Sequence, residues 1–309
     1  MTTSRPIAPT PGTHSARGTP GPHGSRSEVP PLPASGRLAQ WSGVASRLVV
    51  RVAIGAVPVF LLLPFVGIVI ASFSRGGALS FASGDWTLHW YRAIAPGYYD
   101  ALRYSVAVGA GTTLLSAVLG VPLALTIARA RHRLTAWLSA VCLAPLAVPT
   151  IVIAVAGFKF LLRVSDWHDL GLVGTPAAIV LLQTVFTLPL VVRAVVANFA
   201  HYDNALDEAA QNLGATPRQV FWRVTVPLIL PGIAAGMLFA LVMSFDDVVV
   251  AWFLGDPGTP TLPVKLFNAL EVDFDNAVTA LSTLIVGFWA LLMLLAQRFL
   301  RLDRFLAPR

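Results

Sequence analysis

The chain has almost no cysteine, almost no lysine and little charge of either sign. Cys142 is the single cysteine among 309 residues. No disulfide can close within the chain, and no cysteine cluster can hold a metal. Lys159 and Lys265 are the only lysines. Charged residues make up 12% of the chain, where a soluble domain carries about 25%. No G-x-x-x-x-G-K-[ST] segment occurs, so no loop is built to cradle phosphate. No H-E-x-x-H occurs, and all six histidines lie outside the long apolar runs. The chain is therefore expected to hydrolyse no ATP by itself. No catalytic residue, metal or cofactor is expected.

What is abundant is apolar sequence. Hydrophobic residues make up 56% of the chain, and the mean hydropathy is +0.71. A bilayer core needs about 20 apolar residues as helix. Six runs qualify, at 48–73, 104–128, 136–159, 176–199, 228–254 and 278–297. The expected fold class is all-α, a polytopic membrane protein with six spans. Pro145 and Pro149 interrupt the third run, whose bounds are the least defined. Residues 1–45 open with a Pro, Gly, Ser and Thr-rich stretch that cannot bury enough surface to offset chain entropy; a disordered tail is expected there. It is not a signal peptide, because no apolar core appears before about residue 48.

The net charge of +7 is nearly all arginine. The arginines flank apolar runs, as cytoplasmic anchors do, so no nucleic-acid partner is implied. Arg37, Arg47 and Arg51 stand at the first run, "RARHR" fills 129–133, and Arg298, Arg301, Arg304 and Arg309 follow the last run. Positive charge stays inside, which places both termini, the 129–135 loop and the 200–227 loop in the cytosol. Loops 74–103, 160–175 and 255–277 then lie outside, and 301–309 is a cytoplasmic tail. Arg75, Arg92 and Arg103 run against this, but long loops cross largely regardless of charge. In the first outer loop "DWTLHWYRAI" reads as a short helix at the membrane interface, where aromatic rings prefer to sit. A ligand-stacking role for Trp86, Trp90 and Tyr91 is the alternative.

Between the fourth and fifth runs lies a polar stretch, "DEAAQNLGATPRQVFWRVTVP". Asp203 or Asn204 can cap a helix starting near Ala205, and Asp207 and Glu208 fall in its favourable first turn. Ala205, Leu206, Ala209, Ala210 and Leu213 give that helix a small apolar face. Gly214 fits a left-handed C-terminal cap. Thr216, Pro217 and Gln219 spell a capping box for a second helix carrying Val220, Phe221 and Val224. The first helix bears Asp203, Asp207 and Glu208 and no basic residue. A helix resting on lipid would carry Lys and Arg instead, so an acidic face suits docking to a protein.

Polar residues also sit inside the runs. A carboxylate in lipid costs about 2.5–3.5 kcal/mol on insertion scales, so Asp246 and Asp247 face a cavity or a partner. They lie about 27 Å along the fifth run, toward its outer mouth. They attract a cationic substrate, or secure a broken helix that forms a gate, or the run ends before them. Adjacent helical residues point about 100° apart, which favours the gate. Gln183, Thr184 and Thr187 share one face of the fourth run. They line a polar path or bond neighbouring helices. Gly232 and Gly236 form a GxxxG, a sign of close packing.

The polar stretch resembles the EAA motif of the membrane subunits of binding-protein-dependent ABC importers. Glu208-Ala209-Ala210, Gly214 and Val224-x-Val226-Pro227 match its spacing, with valines where the family has Ile and Leu. The resemblance covers about residues 45 to 300. It implies a type I ABC importer permease fold over 46–300, with the hairpin at 203–227 as the ATPase-coupling element. It implies half a pore with alternating access, in a bacterial cell membrane. The implied partners are a second permease subunit in a heterodimer, two ATP-binding cassette ATPase subunits, an extracytoplasmic solute-binding protein and membrane lipid. Ser-Phe-Asp-Asp at 244–247 and Thr-Leu-Pro-Val-Lys at 261–265 are similar to the spermidine/putrescine, PotC-like branch. A polyamine is the expected solute, with aminoethylphosphonate or iron as alternatives. A secondary transporter or channel without an ATPase is the rival class, and it has no need of the hairpin.

Overall fold

The structure is a computed structural model and describes residues 36–75, 86–129, 133–168, 171–200, 202–203, 205–272 and 276–300. The chain divides into two compact units, one ending at Val59 and one beginning at Phe60. In the first, the described residues are helical throughout and open α1, Gly36–Ser72. The helix takes in residues 36–45 of the expected tail. No proline follows Pro33 until Pro58, and Leu38, Ala39 and Gln40 are good helix formers. Residues 1–35 and 301–309 lie outside the described residues, as do 76–85 and 130–132 of the expected loops.

In the second unit, α1 ends at Ser72 and a short α2, His89–Arg92, follows. The aromatics of the first outer loop hold this corner together. Trp90 Nε1 donates to the Ser74 carbonyl at 2.9 Å, and the hydroxyls of Tyr91 and Ser72 lie 2.7 Å apart. These two rings are fastened to the end of α1, while Trp86 stays exposed. Ser74 and Trp86 form an isolated antiparallel bridge. The rest of the regular structure among the described residues is helical.

The core is made by α3 (Pro96–Arg129), α6 (Pro176–Phe199) and α9 (Val226–Asp246). In lipid, helices gain little from apolar burial against each other, so association depends on close packing and interhelical hydrogen bonds. Both are present. Gly120 of α3 lies where a Cβ would meet Val191 of α6 at 3.3 Å. Gly236 of α9 is tighter, since a Cβ there would stand 2.8 Å from the Val191 Cα. Gly232, one turn away, faces Asn198 and the Ala194 carbonyl. Thr175 starts α6 by accepting from the Ala178 N–H, with Pro176 in the first turn.

Two expected spans are broken. The third run is α4 (Arg133–Leu143), a 3-10 turn at Ala144–Ala147 and α5 (Thr150–His168), bent by 103°. Val148 is extended, as the residue before a proline prefers, and Pro149 has no N–H to continue the ladder. α5 also takes up residues 160–168 of the expected outer loop. The fifth run is not one span over 228–254. It stops at Asp246, Asp247 is extended at φ −74° and ψ 114°, and a separate α10 covers Val249–Leu254. The 255–277 loop contains a further helix, α11, Leu262–Val272. α12, Asn276–Leu300, completes the chain. Among the described residues five helices are long and apolar enough to cross a membrane, six if the bent pair counts as one.

Candidate functional site

The hairpin between α6 and α9 is built from local sequence. Asp203 Oδ1 accepts from the Ala205 N–H at 2.9 Å and starts α7, Ala205–Asn212; Asn204 lies outside the described residues. At the other end Gly214 takes φ +86°. Its N–H donates to the Gln211 carbonyl and the Ala215 N–H to the Ala210 carbonyl, the paired bonds of a Schellman cap. A Cβ on Gly214 would meet nothing within 4 Å, so the requirement for glycine is conformational. Thr216 and Gln219 then close a capping box in both directions, at 3.4 and 2.9 Å. This starts α8, Pro217–Val220, which passes through a π turn at Phe221–Thr225 into α9.

Glu208, Ala209 and Gly214 are exposed, Ala210 is half-buried, and Pro227 is exposed in the first turn of α9. Leu206 and Leu213 are exposed as well, Leu213 at 90%. Leu206, Ala209 and Leu213 recur at helical spacing. α7 thus presents an apolar ridge beside one carboxylate.

The acidic face expected for α7 is divided: Asp203 and Glu208 are exposed and Asp207 is half-buried. Asp203 is spent on the cap, and Asp207 turns inward. The Asp207 carboxylate receives Arg129 Nη2 at 3.4 Å, the Tyr202 hydroxyl, and the Thr225 hydroxyl at 3.5 Å. Arg129 Nη2 also donates to Thr225 Oγ1 at 3.1 Å, and its guanidinium lies 5.8 Å from the Phe199 ring centroid. Phe199 stacks on Tyr202 at 4.6 Å. Burial, and after it the bond to Asp207, push the Tyr202 hydroxyl above its usual range. Glu208 has no hydrogen bond or ion pair among the described residues.

The second group of expected residues meets at the break after α9. Gln183 is fully buried on α6. Its Oε1 accepts from Thr112 of α3 at 3.1 Å and from Ser244 of α9 at 2.5 Å. Its Nε2 donates to the Ser244 carbonyl at 3.2 Å and to Asp247 Oδ2 at 3.0 Å. Asp247 in turn accepts from the Val250 and Ala251 N–H groups and starts α10. One turn along α6, Thr187 pairs with Ser116 of α3 at 2.8 Å. Thr184 is buried and donates to the Val180 carbonyl of its own helix. These side chains tie three helices together. Asp246 parts company with its neighbour: it is exposed and has no hydrogen bond among the described residues.

Sequence reading missed Thr112 and Ser116, met Ser244 only as part of a family resemblance, and took Arg129 for a simple anchor. One signal was present. Thr112 and Ser116 are four residues apart on the second run, as Gln183 and Thr187 are on the fourth, which is the spacing of a shared face. No comparable signal joins Arg129 to Asp207. An apolar cavity of about 350 Å³ between α3, α9 and α12 is lined by Tyr98, Leu102, Phe245, Leu281 and Trp289 among others. It touches neither group.

The family described as the binding-protein-dependent transport system inner membrane component matches residues 120–304. The putrescine transport system permease protein PotI of Escherichia coli K12 is 31% identical over 236 residues, covering 74% of this chain and 82% of that protein. The molybdenum transport system permease protein ModB of Mycobacterium tuberculosis H37Rv is 35% identical over 225 residues, covering 68% and 83%. The spermidine/putrescine permease protein PotC of Escherichia coli K12 is 24% identical over 251 residues, covering 81% and 92%. Among solved structures, a bacterial ABC transporter that imports the acidic polysaccharide alginate shares the fold, with a TM-score of 0.62 at 17% identity over 87% of this chain and 99% of that one.

Proposed function

The chain belongs to the inner membrane components of binding-protein-dependent transport systems, the type I ABC importer permeases, and from that premise we propose that it forms half of a pore for a small organic cation of the polyamine class. The observation that carries the importer reading is the hairpin: a helix capped at both ends, with Leu206, Ala209, Leu213 and Glu208 exposed on it. A carrier driven by an ion gradient has no use for such a surface. An ATPase subunit does, because it must grip the membrane domain to move it. The alanines allow close approach, Glu208 offers a charge-assisted bond, and Gly214 lets the chain turn back. The partners are then a second permease subunit, two ATPase subunits and an extracytoplasmic binding protein. Both termini and the hairpin face the cytosol.

The solute rests on a narrower basis. PotI and PotC are polyamine permeases by name, and ModB is a molybdenum permease. Asp246, exposed and unpartnered among the described residues, favours a cation over an oxyanion. The test is ATP-driven uptake of labelled putrescine by the assembled transporter, with co-purification of its ATPase. Glu208→Lys or Gly214→Pro is expected to abolish uptake while the chain stays in the membrane. Normal uptake and normal co-purification in both variants would overturn the coupling role. Uptake competed by molybdate and untouched by spermidine would overturn the polyamine assignment.

A further inference from the structure

Asp207 stands beside the residues that carry the docking surface, yet it cannot be part of that surface. Its side chain is only 18% exposed, and its oxygens are occupied. What occupies them is informative. Arg129 is the last residue of α3. Thr225 is the last residue of the π turn that runs into α9, and it is fully buried. Tyr202 stacks on Phe199, the last residue of α6. One carboxylate on α7 therefore gathers the ends of the three helices that form the core. Each link is charge-assisted or closes back on another: Arg129 also bonds Thr225, and the Tyr202 and Thr225 hydroxyls lie 3.4 Å apart. A closed polar network of this kind is stiffer than its separate bonds.

We propose that Asp207 is the positioning residue of energy coupling: it fixes α7 to the ends of α3, α6 and α9, so that a displacement of α7 moves all three helices together. The proposal rests on the reading of α7 as the ATPase-docking helix. Glu208 and the apolar ridge receive the force, and Asp207 passes it on. Without Asp207 the hairpin still docks, but α7 loses its polar tie to the spans and depends on its two chain connections. Those are the segment at 200–204 and, through α8, the π turn, a rare geometry found mostly as single turns at functional sites.

The experiment uses the assembled complex of this chain with its partner permease and ATPase subunits in lipid nanodiscs, in a Cys142→Ser background. A nitroxide on Tyr99→Cys reports the far end of α3, and one on Trp252→Cys reports α10 beyond α9; both positions are exposed. Phosphate release and the ATP-dependent change in the nitroxide spectrum are measured on the same sample. Asp207→Ala and the milder Asp207→Asn are expected to retain the ATPase and its hydrolysis while the spectral change falls about tenfold. Arg129→Gln added to Asp207→Asn brings little further loss, because both remove the same link. A purely structural role predicts less complex with a full spectral response, and that result overturns the proposal, as does a further loss that multiplies in the double variant. A nitroxide unmoved by ATP in the unsubstituted complex, or an ATPase that stays bound and fully responsive in Glu208→Lys, overturns the docking reading itself.

Discussion

Two adjacent carboxylates with opposite surroundings separate two effects that sequence alone leaves entangled. Asp247 accepts from Gln183 and from the first N–H groups of α10, so it secures the break after α9. Asp247→Asn keeps an acceptor, whereas Asp247→Ala leaves Gln183 Nε2 and two backbone donors short of partners. Each such loss costs about 1–3 kcal/mol when buried. Alanine is therefore expected to lower the maximal uptake rate and the melting temperature of the purified complex, and asparagine to be mild. Asp246 makes no such bonds, so Asp246→Asn is expected to leave stability unchanged and raise the apparent KM for a cationic solute. The wild-type advantage shrinks with added salt, since attraction is screened over about 8 Å at physiological ionic strength. A KM unchanged in Asp246→Asn at low salt would remove that carboxylate from substrate guidance. The pair was legible in the sequence as costly to bury. Its division of labour was not, because that depends on one residue of backbone leaving the helix.

At the scale of elements, the caps of α7 and α8 could be read in advance because each is a contract among residues within a few positions. Asp203, Gly214, Thr216 and Gln219 each bond where their spacing says. The break at Asp247 could not, since a hydropathy run is blind to a kink that leaves composition unchanged. The pairing of Arg129 with Asp207 spans 78 residues and has no local signature at all. The seam between α6 and α9 was visible only as a GxxxG, and its partner came from the structure. There Gly236 lies against backbone rather than a yielding side chain. Gly236→Ala must push the helices apart, and overpacking of this kind costs about 1–3 kcal/mol. A lower melting temperature in detergent is expected, while Gly287→Ala on α12, with nothing within 4 Å, is neutral. Equal melting temperatures for the two variants would mean that the seam relaxes freely.

At the scale of the whole molecule, the proposed orientation in the membrane rests on arginine placement and on the hairpin together. In a Cys142→Ser background, Thr259→Cys is expected to react from outside intact cells with a membrane-impermeant thiol reagent, and Gln211→Cys to react only after lysis. Both sites are exposed, so access alone decides the result. Labelling of Gln211→Cys in intact cells would invert the protein and remove the hairpin from any cytosolic motor. The π turn at Phe221–Thr225 bears on the same geometry in another way. An α-helix advances about 100° for each residue, and a π turn holds one residue more than an α turn. Deleting a single residue there would let α8 run smoothly into α9 with no helix lost. It would also rotate α7 about the α9 axis by roughly a quarter turn, aiming the Leu206–Leu213 ridge at empty solvent. The interval from Gly214 to Pro227 is thus a phase setting as much as a string of side chains. Valine replaces isoleucine and leucine at 224 and 226 without altering that phase, whereas a change of length by one residue cannot avoid doing so.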